Sequence, residues 1–221
     1  MAMRIGILGN GALAVALGTV WDRAGHEVVI AGRSRDRAVV AASRIGGRAR
    51  AADSPAEAVT GRDAVLLAVA WEGVPDILRA AGADAGSLAG TPLIDPTNAV
   101  EHGVGVLLPA DGRAAAEHIA DWAPGAQVVK GFHLFPAEQW GTGGEPVTVV
   151  LAGDEEPALR TVSTLVRDAG GHPTVLGSLN RARQLEEVAG FVIALAFSGQ
   201  DPNAAIPRVP VLTKEQSATA G

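Results

Sequence analysis

The residues of this sequence with chemical potential are mostly ones that hold a ligand rather than attack it. Gly9-Asn10-Gly11-Ala12-Leu13-Ala14 places small residues at the three spacings of a dinucleotide fingerprint. The first glycine permits a tight turn and the second lets the backbone approach a pyrophosphate. A small third residue, here Ala14, lets helix and strand pack closely. Free N–H groups and the positive end of the following helix then hold the phosphates. The competing reading is a plain strand-to-helix turn, but the context the motif needs is present, with an apolar stretch before it and helical spacing after it.

The end of the next strand selects the cofactor. An acid there would bond the ribose 2′-hydroxyl of NAD and repel a 2′-phosphate. This sequence has Ala31-Gly32-Arg33-Ser34-Arg35 instead. Arg33 and Arg35 can grip a phosphate in bidentate fashion, Ser34 adds a hydroxyl, and Arg37 is a further contributor. The residues thus point to NADP(H), against the alternative of a solvated basic turn.

Other chemistry is narrowed by absence. With no cysteine in the chain, disulfides, thiolate nucleophiles and cysteine-based metal sites are excluded. With no tyrosine, so is the Tyr-x-x-x-Lys proton relay of short-chain dehydrogenases. His26, His102, His118 and His172 are scattered without metal-ligand spacing, so no metal site is expected. A net charge of -6 argues against a nucleic-acid surface. The start Met1-Ala2-Met3-Arg4 lacks a leader pattern and no apolar run is long enough for a membrane helix. A soluble cytoplasmic protein acting on a small molecule is the expectation.

The elements that must position these residues alternate. Apolar runs at 4–8, 27–31, 49–51, 64–70, 91–95 and 127–131 read as strands. Helical spacing follows at 12–24, 36–45, 74–81 and 113–122, and Asp53-Ser54-Pro55 reads as a helix start. Residues 99–112 read as a loop over the site. Residues 147–152 and 172–176 add strands, with helices at 155–169 and 182–197. The pattern predicts an α/β fold, a Rossmann-type doubly wound parallel sheet with a small C-terminal extension. Residues 1–146 would form the NADP-binding domain, 147–197 the extension and 198–221 an irregular tail. The second half of the last helix is apolar on every side, which buries it in the core or against another subunit. Lys130, a tempting amine, reads as lying beside or within the sixth strand and pointing outward.

Several stretches together resemble the NADPH-dependent reductases of the deazaflavin coenzyme F420, also called F420-dependent NADP oxidoreductases. They are the glycine loop, Ala31-Gly32-Arg33-Ser34, Ala68-Val69-Ala70-Trp71-Glu72, Asp95-Pro96-Thr97-Asn98 and Val129-Lys130-Gly131-Phe132-His133. Ala152-Gly153-Asp154 and Gly177-Ser178-Leu179-Asn180-Arg181-Ala182-Arg183 add to the likeness, which runs from Arg4 to about Phe197. The family's Asn-Pro after the fifth strand is Asn98-Ala99 here, and the chain after Phe197 does not look like the family's usual C-terminus. The resemblance implies a homodimer, with NADP(H) over the C-terminal edge of the sheet and F420 as second substrate stacked on the nicotinamide. It also implies contacts from the ends of strands four, five and six: Ala70, Trp71, Thr97, Asn98, Leu134, Phe135 and Ala137, with His133 as the candidate catalytic group. Trp71 either walls the cleft or packs behind it, and Asn98 either bonds the nicotinamide or closes a turn. Hydride transfer between the two rings needs alignment and dryness more than an acid or base. Two alternatives stay open: NADPH-dependent reduction of a small imine or carbonyl compound, and a non-catalytic NADP(H)-binding module without a second ligand cleft.

Overall fold

The computed structural model describes residues 1–141 and 145–210. The rest of the expected tail, 211–221, lies outside the described residues. Among the described residues eight strands form one sheet: β1 (Arg4–Leu8), β2 (Glu27–Ala31), β3 (Arg50–Ala51), β4 (Ala64–Leu67), β5 (Pro92–Asp95), β6 (Gln127–Lys130), β7 (Thr148–Gly153) and β8 (His172–Gly177). Their order is β3-β2-β1-β4-β5-β6-β7-β8. Among the described residues six α-helices connect them, α1 (Ala12–Arg23), α2 (Arg35–Ile45), α3 (Pro55–Val59), α4 (Val74–Ala80), α5 (Ala115–Trp122) and α6 (Glu156–Asp168), and α7 (Ala182–Phe197) follows the last strand. The order reverses at β1, whose neighbours are β2 and β4, and such a switch opens a crevice at the carboxyl ends of the strands.

The strands read as continuous apolar runs because the sheet is covered on both faces. In β4, Ala64 and Leu66 face the core under α1, α2 and α6 with Leu17, Trp21, Ile45 and Leu165. Val65 and Leu67 face the opposite core under α3, α4 and α5, with Val59, Ile77, Leu78 and Ile119. Trp21 is fully buried and its Nε1 donates to the Leu165 carbonyl at 2.9 Å, which pins α1 to α6.

The sheet is parallel except at one junction. β7 runs antiparallel to β6, with Lys130 opposite Ala152, and β8 then pairs parallel to β7. A wholly parallel sheet would need a crossover helix between β6 and β7. Residues 131–147 supply only a 3-10 turn (Ala137–Gln139) among those described, so the chain folds back antiparallel. The C-terminal extension therefore continues the same sheet.

Residues 99–112 form a loop, as expected, closed by a bridge between Val100 and Leu107. It lies on α7 where Gly105 meets Gly190 so closely that a Cβ on either would strike the other's carbonyl. The end of α7 narrows one expectation, that its apolar half packs in the core or against another subunit. Val188, Phe191 and Phe197 are 41%, 49% and 59% exposed, so this apolar face is not buried in the core of its own chain. Among the described residues only the 3-10 turn Pro202–Ala205 follows α7.

Candidate nucleotide and acceptor site

At the end of β1, Gly9 takes a φ of +128° that only glycine adopts easily, and a Cβ there would collide with the Ala68 carbonyl. Gly11 is the N-cap of α1 and donates no side-chain cap, so the first N–H groups of that helix are left for a ligand. Open space lies where the Gly11 Cβ would be. Asn10 and Ala12 stand on either side of Gly11, Leu13 is half-buried, and Ala14 is fully buried against the sheet. The cradle for a pyrophosphate is built of backbone.

Beside it, Ser34 caps α2 by accepting from the Arg37 N–H. Arg33, Ser34 and Arg37 line a cleft of about 380 Å³ together with Gly9, Asn10 and Gly11. Arg35 is turned elsewhere: its Nε donates to Asp53 Oδ1 at 2.7 Å. Arg37 and not Arg35 lines the cleft, because the two are two residues apart and so point about 200° apart around α2. Sequence reasoning also missed Gly32, where a Cβ would press on the Asn10 amide, and the far wall formed by Val69, Glu72 and Ile77. Only the glycine had a readable signal, as the residue just past a strand end.

Ala70 is exposed on the cleft, but Trp71 is not among its lining residues. The Trp71 ring lies 5.3 Å from that of Trp122 on α5, so it packs behind the cleft.

The second half of the site lies past β5 and β6 and is built from buried side chains. Lys130, expected to point outward, is fully buried. Its Nζ donates to Asp95 Oδ2 at 3.0 Å, to Glu186 Oε1 at 2.9 Å and to the Thr97 carbonyl. Asp95 and Glu186 are themselves fully buried. The Asp95 Oδ1 accepts from the Thr97 N–H at 2.8 Å, and Glu186 accepts from the N–H groups of Ala115 and Ala116 at the start of α5. A lysine in a strand of this kind turns inward only when acids meet it, and these come from β5 and α7.

Gly131 leads into Phe132, the one residue besides glycine with a positive φ (+62°) among those described. Such a conformation costs about 1–3 kcal/mol and persists where packing enforces it. Here the ring sits edge-on to both Trp21 (5.9 Å) and Trp140 (5.2 Å). The turn delivers His133, whose carbonyl accepts from Asn98 Nδ2 at 2.7 Å. Burial, with the positive charge of Lys130 behind it, pushes the His133 imidazole down from 6.5 to about 3. It is neutral at ordinary pH.

Four buried side-chain atoms among the described residues have no hydrogen-bond partner: Thr97 Oγ1, Asn98 Oδ1, His133 Nδ1 and Trp140 Nε1. Three of them are gathered at the ends of β5 and β6. Unmet polar atoms are rare in folded chains and call for a partner. The Asn98 amide is oriented by its bond to the His133 carbonyl, so its free oxygen seeks a donor. Leu134 and Phe135 join His133 along an apolar slot of about 140 Å³ closed by Thr148, Leu185 and Val188. Ala137 starts the 3-10 turn beyond Phe135 and lines neither slot nor cleft.

A switch-point crevice with a backbone cradle at the start of α1 and cationic side chains at the end of β2 has the form of a dinucleotide-binding Rossmann site. Residues 4–99 match the family model described as NADP oxidoreductase, coenzyme F420-dependent. A solved structure of a candidate F420-dependent NADP reductase from Arthrobacter sp. FB24 superposes with a TM-score of 0.75 at 25% identity, covering 90% of this chain and 96% of that one. An imine reductase of Streptomyces aurantiacus shares the fold at 19% identity and a TM-score of 0.66, over 89% of this chain and 63% of its own. The metalloreductase STEAP3 of Rattus norvegicus is 30% identical over 191 residues, or 85% of this chain. The chain spans 36% of the length of that curated relative.

Proposed function

We propose that this chain binds NADP(H) and passes a hydride between it and the deazaflavin coenzyme F420. The pyrophosphate rests on the Gly9–Leu13 loop and the start of α1, and Arg33, Ser34 and Arg37 hold the 2′-phosphate. The nicotinamide end meets Asn98, whose free oxygen accepts from the carboxamide N–H, with Thr97 and His133 beside it. The observation that carries the reading is the set of three unpartnered polar atoms on Thr97, Asn98 and His133. They lie where a Rossmann cofactor ends and its partner begins.

NADPH supplies the hydride itself, and the chain's own work is to orient and to exclude water. His133 is neutral and enclosed, and all three Lys130 N–H groups are committed, so neither offers a ready proton. Hydride transfer to a ring that delocalises the incoming charge suits such a site. NADPH would supply the hydride and the deazaflavin would take its proton from bulk solvent, so the residues of the chain need only align the two rings.

The slot beside His133 favours a catalytic role over a binding-only module, because it gives a second ligand somewhere to sit. Its small volume also supports a second reading, NADPH-dependent reduction of a small imine or carbonyl compound. Ligand pockets for larger molecules run to roughly 300–1,000 Å³. The exposed apolar end of α7 supports a homodimer, which sedimentation would detect as a doubled mass.

Mixing the chain with NADPH and F420 separates these readings. Equimolar loss of NADPH fluorescence and F420 absorbance is expected. NADPH bound at micromolar affinity without change in F420 would remove the first reading, and turnover with small cyclic imines would then establish the second.

A further inference from the structure

The hydrogen bonds at the end of β5 converge on one residue, Thr97. Asp95 Oδ1 accepts from the Thr97 N–H, and Lys130 Nζ donates to the Thr97 carbonyl. The two backbone groups of residue 97 are therefore held from opposite sides by the two members of a buried ion pair. Asn98, the next residue, has its amide nitrogen tied to the His133 carbonyl and its amide oxygen unpartnered. Lys130 does not act alone. Glu186 takes its third N–H and anchors the same cluster to the start of α5 through Ala115 and Ala116.

Holding one turn by a buried charge cluster is expensive for stability. Taking two carboxylates and an ammonium out of water carries a desolvation cost that apolar residues of the same size would avoid. Such clusters are best understood where they impose a single geometry. This one bonds directly to the peptide that carries Asn98.

We propose that Lys130, held between Asp95 and Glu186, is a positioning residue that sets the Thr97–Asn98 turn against the carboxamide of the nicotinamide. The inference rests on the reading that the nicotinamide meets Asn98. Lys130 touches no cofactor atom itself and acts through the peptide it grips. Its loss should slacken the nicotinamide end of the cofactor and leave the phosphate end as it was.

Calorimetric titration with NADPH and with 2′,5′-ADP, which lacks the nicotinamide half, tests this without any acceptor. In Lys130→Met, NADPH affinity is expected to fall about tenfold, as for loss of one good hydrogen bond, while 2′,5′-ADP affinity holds. In Asn98→Ala the same selective loss is expected, and the double variant should lose no more than Asn98→Ala alone. Unchanged NADPH affinity, equal weakening of both ligands, or additive losses would each overturn the inference. If Lys130→Met does not fold, Glu186→Gln keeps the lysine and removes one of its acids. It should show the same selectivity at about a threefold loss, and an unselective loss would again overturn the inference. A wild-type chain that binds NADPH no more tightly than 2′,5′-ADP would contradict the nicotinamide reading as well. A wild-type preference for NADPH that Lys130→Met leaves intact would sink the inference alone.

Discussion

The two ends of the crevice are built in opposite ways. At the proposed phosphate end, the cleft is lined by backbone and exposed arginines drawn from short local stretches, Gly9–Gly11 and Arg33–Arg37. At the proposed nicotinamide end the turn that carries Asn98 is fixed by buried side chains from three elements, Asp95 of β5, Lys130 of β6 and Glu186 of α7, the last of which also accepts from the Ala115 N–H of α5. A charged ligand group can be met by solvated, flexible partners. A reacting ring needs fixed ones, and fixing them requires buried, fully committed polar groups. The difference shows that binding and alignment are separate structural tasks here.

Substitutions should therefore act differently at the two ends. Lys130→Met leaves two buried carboxylates without their cation and is expected to cost about 3–5 kcal/mol, the range for a broken buried pair. Urea unfolding would measure it, and a loss below 1 kcal/mol would mean that the cluster is not as isolated from water as its burial indicates. Gly11→Val should do the reverse. Its side chain would enter the open space over the start of α1, lowering NADPH affinity about a hundredfold, or roughly 2.7 kcal/mol, with unfolding unaffected. A destabilised fold with normal binding would break the comparison.

His133 gives a pH-dependent test of burial. Its native pKa lies below its unfolded value, so the unfolded chain takes up the proton first as pH falls. Stability from this group is complete above 6.5 and is lost between 6.5 and about 3. Between pH 6.5 and 5 the loss should be about 1.6 kcal/mol, its slope rising toward roughly 1.4 kcal/mol per pH unit as the unfolded imidazole becomes fully protonated. Chemical unfolding of the wild type and of His133→Leu at both pH values would reveal it as a slope that the variant lacks. The smallest effects are expected among the arginines. Arg33→Ala and Arg37→Ala should each weaken NADPH about tenfold and leave NADH unchanged. Arg35→Ala should alter neither by more than about twofold, because its partner is Asp53. Matching losses at positions 35 and 37 would show that the Asp53 contact gives way when the cofactor binds.

The same contrast explains what the sequence disclosed. The fold was legible because each strand is an apolar run followed by helical spacing, and the glycine loop and arginine turn were legible because their partners are neighbours in the chain. Trp71 stayed ambiguous because its partner, Trp122, lies on another helix. Lys130 was misplaced for a similar reason. Its acids lie 35 residues before it and on the last helix, and nothing near position 130 announces that they will meet it. The reversal of β7 was likewise invisible, since a strand's apolar pattern does not state its direction. Arg35 and Arg37 differ only by their angle around α2, which a list of basic residues does not contain.

The central claim is that the end of β2 reads the 2′-phosphate. Parallel titration of the wild-type chain with NADPH and NADH, at one pH and ionic strength, tests it most directly. The structure predicts that NADPH binds at least about a hundredfold more tightly, a difference of roughly 2.7 kcal/mol contributed by two arginines and a serine. Equal affinity for the two would contradict it.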